Sequence, residues 1–137
     1  MMKKQILKHS KHQFVEGDVL HWWHPEKNNG IRTRYTDDLL WLPYLICQYL
    51  EKTGDDTILD EMISYVEMEE LREDEGERYS EVRISSEKES LYVHAIRAIE
   101  KSMNFGENGL AEMGTGDWND GMNRIQGQSV WLSFFLY

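Results

Sequence analysis

Ten residues toward the carboxyl end, Gly114-Thr115-Gly116-Asp117-Trp118-Asn119-Asp120-Gly121-Met122-Asn123, constrain this chain more than any other stretch. Two carboxylates, two carboxamides and an indole cannot enter an apolar core unless every polar atom finds a partner. The interspersed glycines disfavour both helix and strand interiors. The run must therefore be a loop, held at its ends by regular elements and presenting its side chains at a surface. A hinged loop with paired Asp residues beside an indole is suited to a carbohydrate, whose hydroxyls need hydrogen-bond partners and whose C–H faces stack on aromatic rings.

The rest of the composition sets limits. At 137 residues the chain has room for one ordinary core. A net charge of −10 repels a phosphate backbone, and the lysines form no basic face, so nucleic acid is not an expected partner. No window approaches the roughly eighteen apolar residues of a membrane span, and the charged amino terminus lacks a signal-peptide apolar stretch. No membrane association is expected for the piece. The single cysteine, Cys47, lies in an apolar helical pattern and reads as a small core residue, which favours a reducing, cytoplasmic setting.

Helical periodicity dominates the reading. A helix is expected from Thr36, with its hydroxyl as cap and Asp37 and Asp38 at the positive end. Leu40, Trp41, Tyr44, Leu45 and Tyr49 recur at helical spacing, Pro43 bends the helix or confines its start, and Gly54 stops it. A shorter helix is expected from Thr57 to about Val66, then an acidic stretch from Glu67 to Glu77 that is a solvated loop or a frayed helix end. Ser86 and Glu89 form a capping box for a third helix that buries Leu91, Val93, Ala95, Ile96, Ala98 and Ile99 and ends at Gly106. A last helix starts near Ser129, and only Val82 to Ile84 reads as strand. The expected fold class is all-α: helices with polar clusters at their starts, joined by loops holding Trp and Asp, forming a partial layer of an α/α architecture. A closed barrel would need roughly twelve helices and well over twice this length.

Three clusters carry chemistry. In the loop, an Asp kept protonated by partial burial could act as the acid that cleaves a glycosidic bond; a glycine turn held by Asx hydrogen bonds is the structural alternative. An EF-hand is excluded, because the sixth position from Asp117 is Met122 and the twelfth is Gln128. In Gly30-Ile31-Arg32-Thr33-Arg34-Tyr35-Thr36-Asp37-Asp38, an Arg/Asp pair at a helix mouth is suited to vicinal hydroxyls; helix capping is the alternative and suits Asp37 better than Asp38. In His21-Trp22-Trp23-His24-Pro25, a zinc site lacks a third ligand, so the rings line a site wall or stack on neighbours. His94 reads as a satisfied core histidine. Nucleophilic-triad, P-loop and dinucleotide signatures are absent.

These segments, together with Glu16-Gly17-Asp18-Val19-Leu20 ahead of His21 and Ser129-Val130-Trp131-Leu132 after the loop, resemble in order the catalytic domain of glycoside hydrolase family 94, formerly glycosyltransferase family 36. That family holds cellobiose, cellodextrin, chitobiose and β-1,2-oligoglucan phosphorylases and the phosphorylase-like domain of cyclic β-1,2-glucan synthases. The resemblance covers residues 1–137 as a fragment of one catalytic domain. It implies a partial (α/α)6 barrel, amounting to half or less of the toroid, and an inverting phosphorolysis in which inorganic phosphate, a co-substrate and not a cofactor, converts a β-glucoside to α-glucose 1-phosphate. The general acid falls on Asp120. Trp118 matches the aromatic contact at the scissile bond, and Arg32 and Asp38 match the grip on the donor glucosyl ring, with Asp117 and Asn119 beside them in substrate binding. The loop's form is closest to the β-1,2-glucan members. Gln128 stands where an acidic residue is expected, and the family's phosphate-binding residues lie outside the segment.

Oligosaccharide and phosphate are thus the expected partners. An inverting β-glucan hydrolase is the enzymatic alternative, needing a second carboxylate about 6.5–9.5 Å from the first, with Asp38 or Asp117 as suspects. A catalytically silent carbohydrate-binding or oligomerising module is the alternative of another class. An apolar edge left by absent helices would favour a homo-oligomer or marginal stability.

Overall fold

The computed structural model describes residues 1–119, 122, 124–125 and 127–137. In chain order the elements are α1 (Met2–Ser10), β1 (Leu20–His24), β2 (Asn29–Thr33), α2 (Thr36–Thr53), a 3-10 turn (Asp56–Asp60), β3 (Met62–Glu67), β4 (Glu77–Glu81), β5 (Arg83–Ser90), α3 (Leu91–Ser102) and α4 (Val130–Leu136). The all-α expectation is overturned. Among the described residues there are four helices and two antiparallel sheets, a mixed α/β segment and not an all-α part of a toroid.

Helix α2 is the axis of the segment. Leu39, Leu42, Ile46 and Tyr49 follow the i, i+3, i+7 stripe and are buried. It runs through Pro43 without interruption, so the proline does not confine its start. Gly54, at φ 65°, ends it by donating its N–H to the Leu50 carbonyl. Against this stripe pack Ile6 of α1, Leu91 and Ala95 of α3, Ile58 of the 3-10 turn and Ile63 of β3. Cys47 lies on the opposite, exposed side of α2, which corrects its reading as a core residue.

The strands were hidden because one face of each is polar. In β3 the alternation of Ile63 and Tyr65 has period two, but six residues are too few to separate that from a helical run. What reads as a helix from Thr57 to Val66 is a 3-10 turn followed by this strand. Strand β5 carries Ser86 and Glu89 as strand residues, so the apparent capping box is a decoy. The cap of α3 is Ser90, whose Oγ accepts from Val93 N at 3.4 Å. Helix α3 ends at Ser102, short of Gly106, and buries Leu91, Ala95 and Ala98, with Val93, Ile96 and Ile99 only half-buried. Helix α4 begins where expected, capped by Ser129 Oγ accepting from Leu132 N.

Sheet order is β1-β2-β4, with β3 and β5 forming a separate pair. Strands β4 and β5 are separated by Val82 alone, whose N–H donates to Asn28 O, so one nearly continuous ribbon feeds both sheets. Phe14, Leu20 and Val66 fill the angle between them. The acidic segment after β3 is irregular, as expected, but tethered. Arg34 donates to the carbonyls of Leu71, Arg72 and Glu75, and Arg78 bonds Glu69 and Glu75.

A buried polar knot joins the layers. Gln13 Nε2 donates to Gly17 O and His94 O, leaving its Oε1 to accept from His94 Nδ1 at 2.6 Å. The His94 ring stacks on Tyr65 at 4.1 Å between centroids, as a satisfied core histidine should. Burial pushes its pKa below the ordinary histidine value. His94→Ala would strand Gln13 Oε1 and open a cavity, so the expected loss is about 3 kcal/mol or more in urea unfolding. A loss under about 1 kcal/mol would show that the knot is not structural.

Candidate functional site

The site is built where three stretches of backbone are stitched together. Residue 36 donates its N–H to Met113 O, and its hydroxyl donates to Glu112 O at 2.8 Å. The N-cap position of α2 is Tyr35, and the Thr36 hydroxyl docks this crossing segment and does not cap the helix. Tyr35 bridges Gly114, and Thr115 N donates to Arg34 O. On its other side the segment bonds the start of α4: Met113 N to Gly127 O and Ser129 N to Ala111 O. Gly114 has φ 66°, and a Cβ there would collide with the Arg34 carbonyl. Glycine is thus required at the point where the loop leaves α2.

Asp117 is pinned. Its Oδ1 accepts from Asn119 N at 3.1 Å and its Oδ2 from Ser129 Oγ at 2.8 Å, so it both closes the turn and ties it to α4. Trp118 and Asn119 are exposed, the indole at 65%. The Trp118 ring meets Trp131 edge-on at 6.5 Å, and contacts continue through Phe135 to Trp41 and Tyr44. Asp120 lies outside the described residues.

Arg32 and Asp38 do not form a pair. Arg32, 2% exposed, gives Asp18 a bidentate contact at 2.6 and 2.8 Å and bonds Glu16 and Met68 O, with its guanidinium 3.9 Å from the Phe14 ring centroid. Burial opposes its charge, but Asp18 and then Glu16 outweigh burial and raise its pKa. Asp38 instead accepts from His21 Nδ1 at 2.9 Å and Thr33 Oγ1 at 3.4 Å. His21 is thus a site residue that the sequence reading left as a wall; its pairing depends on how the β1-β2 hairpin folds back on α2. His24 contacts the Trp22 and Tyr79 rings.

The carboxyl group whose environment is most altered is Asp37, assigned from sequence to the helix dipole. It is 5% exposed, and its Oδ1 has no hydrogen-bond partner. Burial first, then the neighbouring charges of Asp38 and Asp117, lift its pKa from the ordinary 3.8 to about 6, with Trp41 acting the other way. Two concavities flank the region. One of about 230 Å³ is lined by Asp18, Arg32, Arg34, Lys101 and Gly114. A larger cleft of about 720 Å³ lies between the sheets, lined by Trp23, His24, Tyr65 and Val82; it takes in part of the 21–25 cluster but not Arg32, Asp38, Asp117, Trp118 or Asn119. Asp117 and Trp118 lie on the loop, Arg32 lines the smaller cavity together with Gly114, and Asp38 is held by His21.

The catalytic-domain model of the glycosyl hydrolase 94 superfamily matches residues 1–137. A cyclic beta-(1,2)-glucan synthase of Rhizobium meliloti is 38% identical over 141 residues, taking in 99% of this chain and 5% of that protein. A solabiose phosphorylase of Paenibacillus borealis is 29% identical over 142 residues, covering 100% of this chain and 16% of its own length. A 1,2-beta-oligoglucan phosphorylase of Listeria innocua is 26% identical over 133 residues, covering 93% and 11%. The chain spans between 5% and 16% of the length of these relatives.

Two measurements test this geometry. Asp37 binds its proton more tightly folded than unfolded, so its contribution to stability is full below about pH 4 and is lost as pH rises through about 6. The shift corresponds to about 3 kcal/mol, which urea unfolding across this window should register and Asp37→Asn should abolish, leaving the variant more stable than wild type at neutral pH. Gly114→Ala, which must separate the loop from Arg34, should cost about 2 kcal/mol or more in the same assay. An unchanged midpoint would mean that the loop is not seated on α2.

Proposed function

Because the chain belongs to the glycosyl hydrolase 94 superfamily, whose catalytic-domain model it matches along its length, we propose that it is a segment of a glycoside phosphorylase contributing the acid and donor side of an inverting site. Inorganic phosphate attacks the anomeric carbon of a β-glucoside as Asp120 protonates the departing oxygen. The products are α-glucose 1-phosphate and a sugar shortened by one unit. Phosphate replaces an activated water, so a single catalytic carboxyl group suffices.

The observation that carries this reading is the loop's attachment. Asp117, bonded to Ser129 and Asn119, presents Trp118 and Asn119 outward beside the first turn of α2. The exposed indole is available to stack on a sugar face. Asp38, oriented by His21, supplies a polar grip for ring hydroxyls. Arg32, held by Asp18 and Glu16, stands in the cavity wall with its charge retained. The β-1,2 linkage is the favoured substrate class, supported by the two relatives named for β-1,2-glucans. A cytoplasmic location accompanies this proposal.

A second reading, a silent sugar-binding or self-associating module, is favoured by one feature: the exposed Trp41, Tyr44, Trp131 and Phe134, an aromatic surface of the kind that marks interfaces. Both readings meet in one assay. Phosphate-dependent release of glucose 1-phosphate from β-1,2-, β-1,3- and β-1,4-linked gluco-oligosaccharides is expected, greatest for β-1,2, and lost in Asp120→Asn. Trp118→Ala should raise KM by about tenfold. Sugar release without phosphate would identify a hydrolase, and binding without turnover the silent module.

A further inference from the structure

Asp37 has no role in the phosphorolysis just described, yet it is buried in the first turn of α2, next to Thr36, which bonds the segment that carries the loop. The loop is brought to it where Thr36 bonds Met113 O and Glu112 O and Gly116 lies against the Tyr35 ring. Among the described residues the groups that act on Asp37 are Asp38, the next residue, and Trp41, one turn on, both on α2, and Asp117 on the loop. Beyond Asp38, on β1, lies His21, whose Nδ1 is bonded to Asp38 and not to Asp37. Among the described residues no ion pair involves Asp37, and its Oδ1 is buried without a hydrogen-bond partner. A charged Asp37 would therefore set a third carboxylate in low dielectric beside Asp38 and Asp117. The positive end of α2 relieves only part of this.

Asp117 cannot retreat freely from such repulsion, because both its oxygens are engaged in the turn. Moving it means moving Asn119 N, the Ser129 contact and Trp118 between them. We propose that Asp37 is a positioning residue acting as a proton latch: uncharged, it lets the 117–119 turn seat against the start of α2, and charged, it drives the turn and Trp118 outward. The raised pKa, about 6, puts the change close to neutrality. The effect of the latch on sugar binding rests on the phosphorylase reading, whereas the movement itself does not.

The test uses the 137-residue chain without any sugar. Amide hydrogen exchange at Asn119, corrected for the intrinsic pH dependence of exchange, reports the bond to Asp117. In wild type its protection should fall about tenfold or more between about pH 5 and 7.5. In Asp37→Asn, which is permanently uncharged, protection should stay at the low-pH level throughout. Ser129→Ala should lower protection at every pH without moving the midpoint, which is how a merely structural contact behaves. Should Asp37→Asn fail to fold, NMR titration of the Asp37 carboxyl carbon in wild type decides. A midpoint near the ordinary value of about 3.9 overturns the proposal, as does wild-type protection that is flat with pH or unchanged in the variant. Failure here leaves the phosphate-dependence assay untouched, and failure of that assay leaves the latch standing.

Discussion

Among the described glycines, Gly114 leaves the least room for a side chain: a Cβ there would overlap the Arg34 carbonyl, so only a hydrogen atom fits on the Cα. The arrangement of the site follows from it. With Gly114 in the left-handed region, Met113 can accept from Thr36 N on one side while its own N–H reaches Gly127 on the other. Residues 111–114 thereby act as a single extended rung between the starts of α2 and α4. Leu40, Ala111, Met113 and Leu132 pack beneath that rung as a small apolar cluster, separate from the main core around Leu42 and Ile46. The loop is supported from below by its own core, and that is why a run of polar residues can be held in one place at a surface.

Charge is arranged around this junction in two contrasting ways. Arg32 is buried with its compensation in place: two contacts from Asp18, one from Glu16, and an aromatic ring beneath its plane. A buried guanidinium so fully bonded is rigid, and it fixes the end of β2 from which α2 departs. Asp37, in the first turn of α2, is buried with no cation beside it among the described residues and with one oxygen unpartnered; Trp41 offsets this only in part, and Asp37 holds its proton more tightly. Asp38 and Asp117 stand between these extremes, each oriented by a donor, His21 in one case and Ser129 in the other. The three aspartates thus differ in their partners: Asp38 accepts from His21, Asp117 from Ser129 and the Asn119 N–H, and Asp37 is buried with one oxygen unpartnered.

The exposed aromatics extend the site's surface outward. Trp118, Trp131, Phe135, Trp41 and Tyr44 form successive ring contacts from the loop across α4 to α2. Their edge-on and tilted geometries are those of packed rings, not of a flat platform, so among these rings the exposed Trp118 at 65% has the freest surface.

How much of this was legible in the sequence varies with the range of the interaction. The sequence by itself determined α2 and its stop at Gly54, the start of α4 at Ser129, the need for a loop from 114 to 119 and the family, because each rests on local rules or on motifs spread along the chain in fixed order. It placed strand at Val82 to Ile84, where β5 begins, but suggested helices over β3 and the rest of β5, since a short strand with one polar face carries little periodic signal, and Ser86 with Glu89 satisfied a helix-cap pattern inside a strand. Only the tertiary structure decided that Arg32 is paired with Asp18, that Asp38 is paired with His21, and that Asp37 is a carboxyl group with raised proton affinity. Partner choice and desolvation depend on which segments fold against one another, and burial next to two other carboxylates is a property of that meeting point, not of any residue in it.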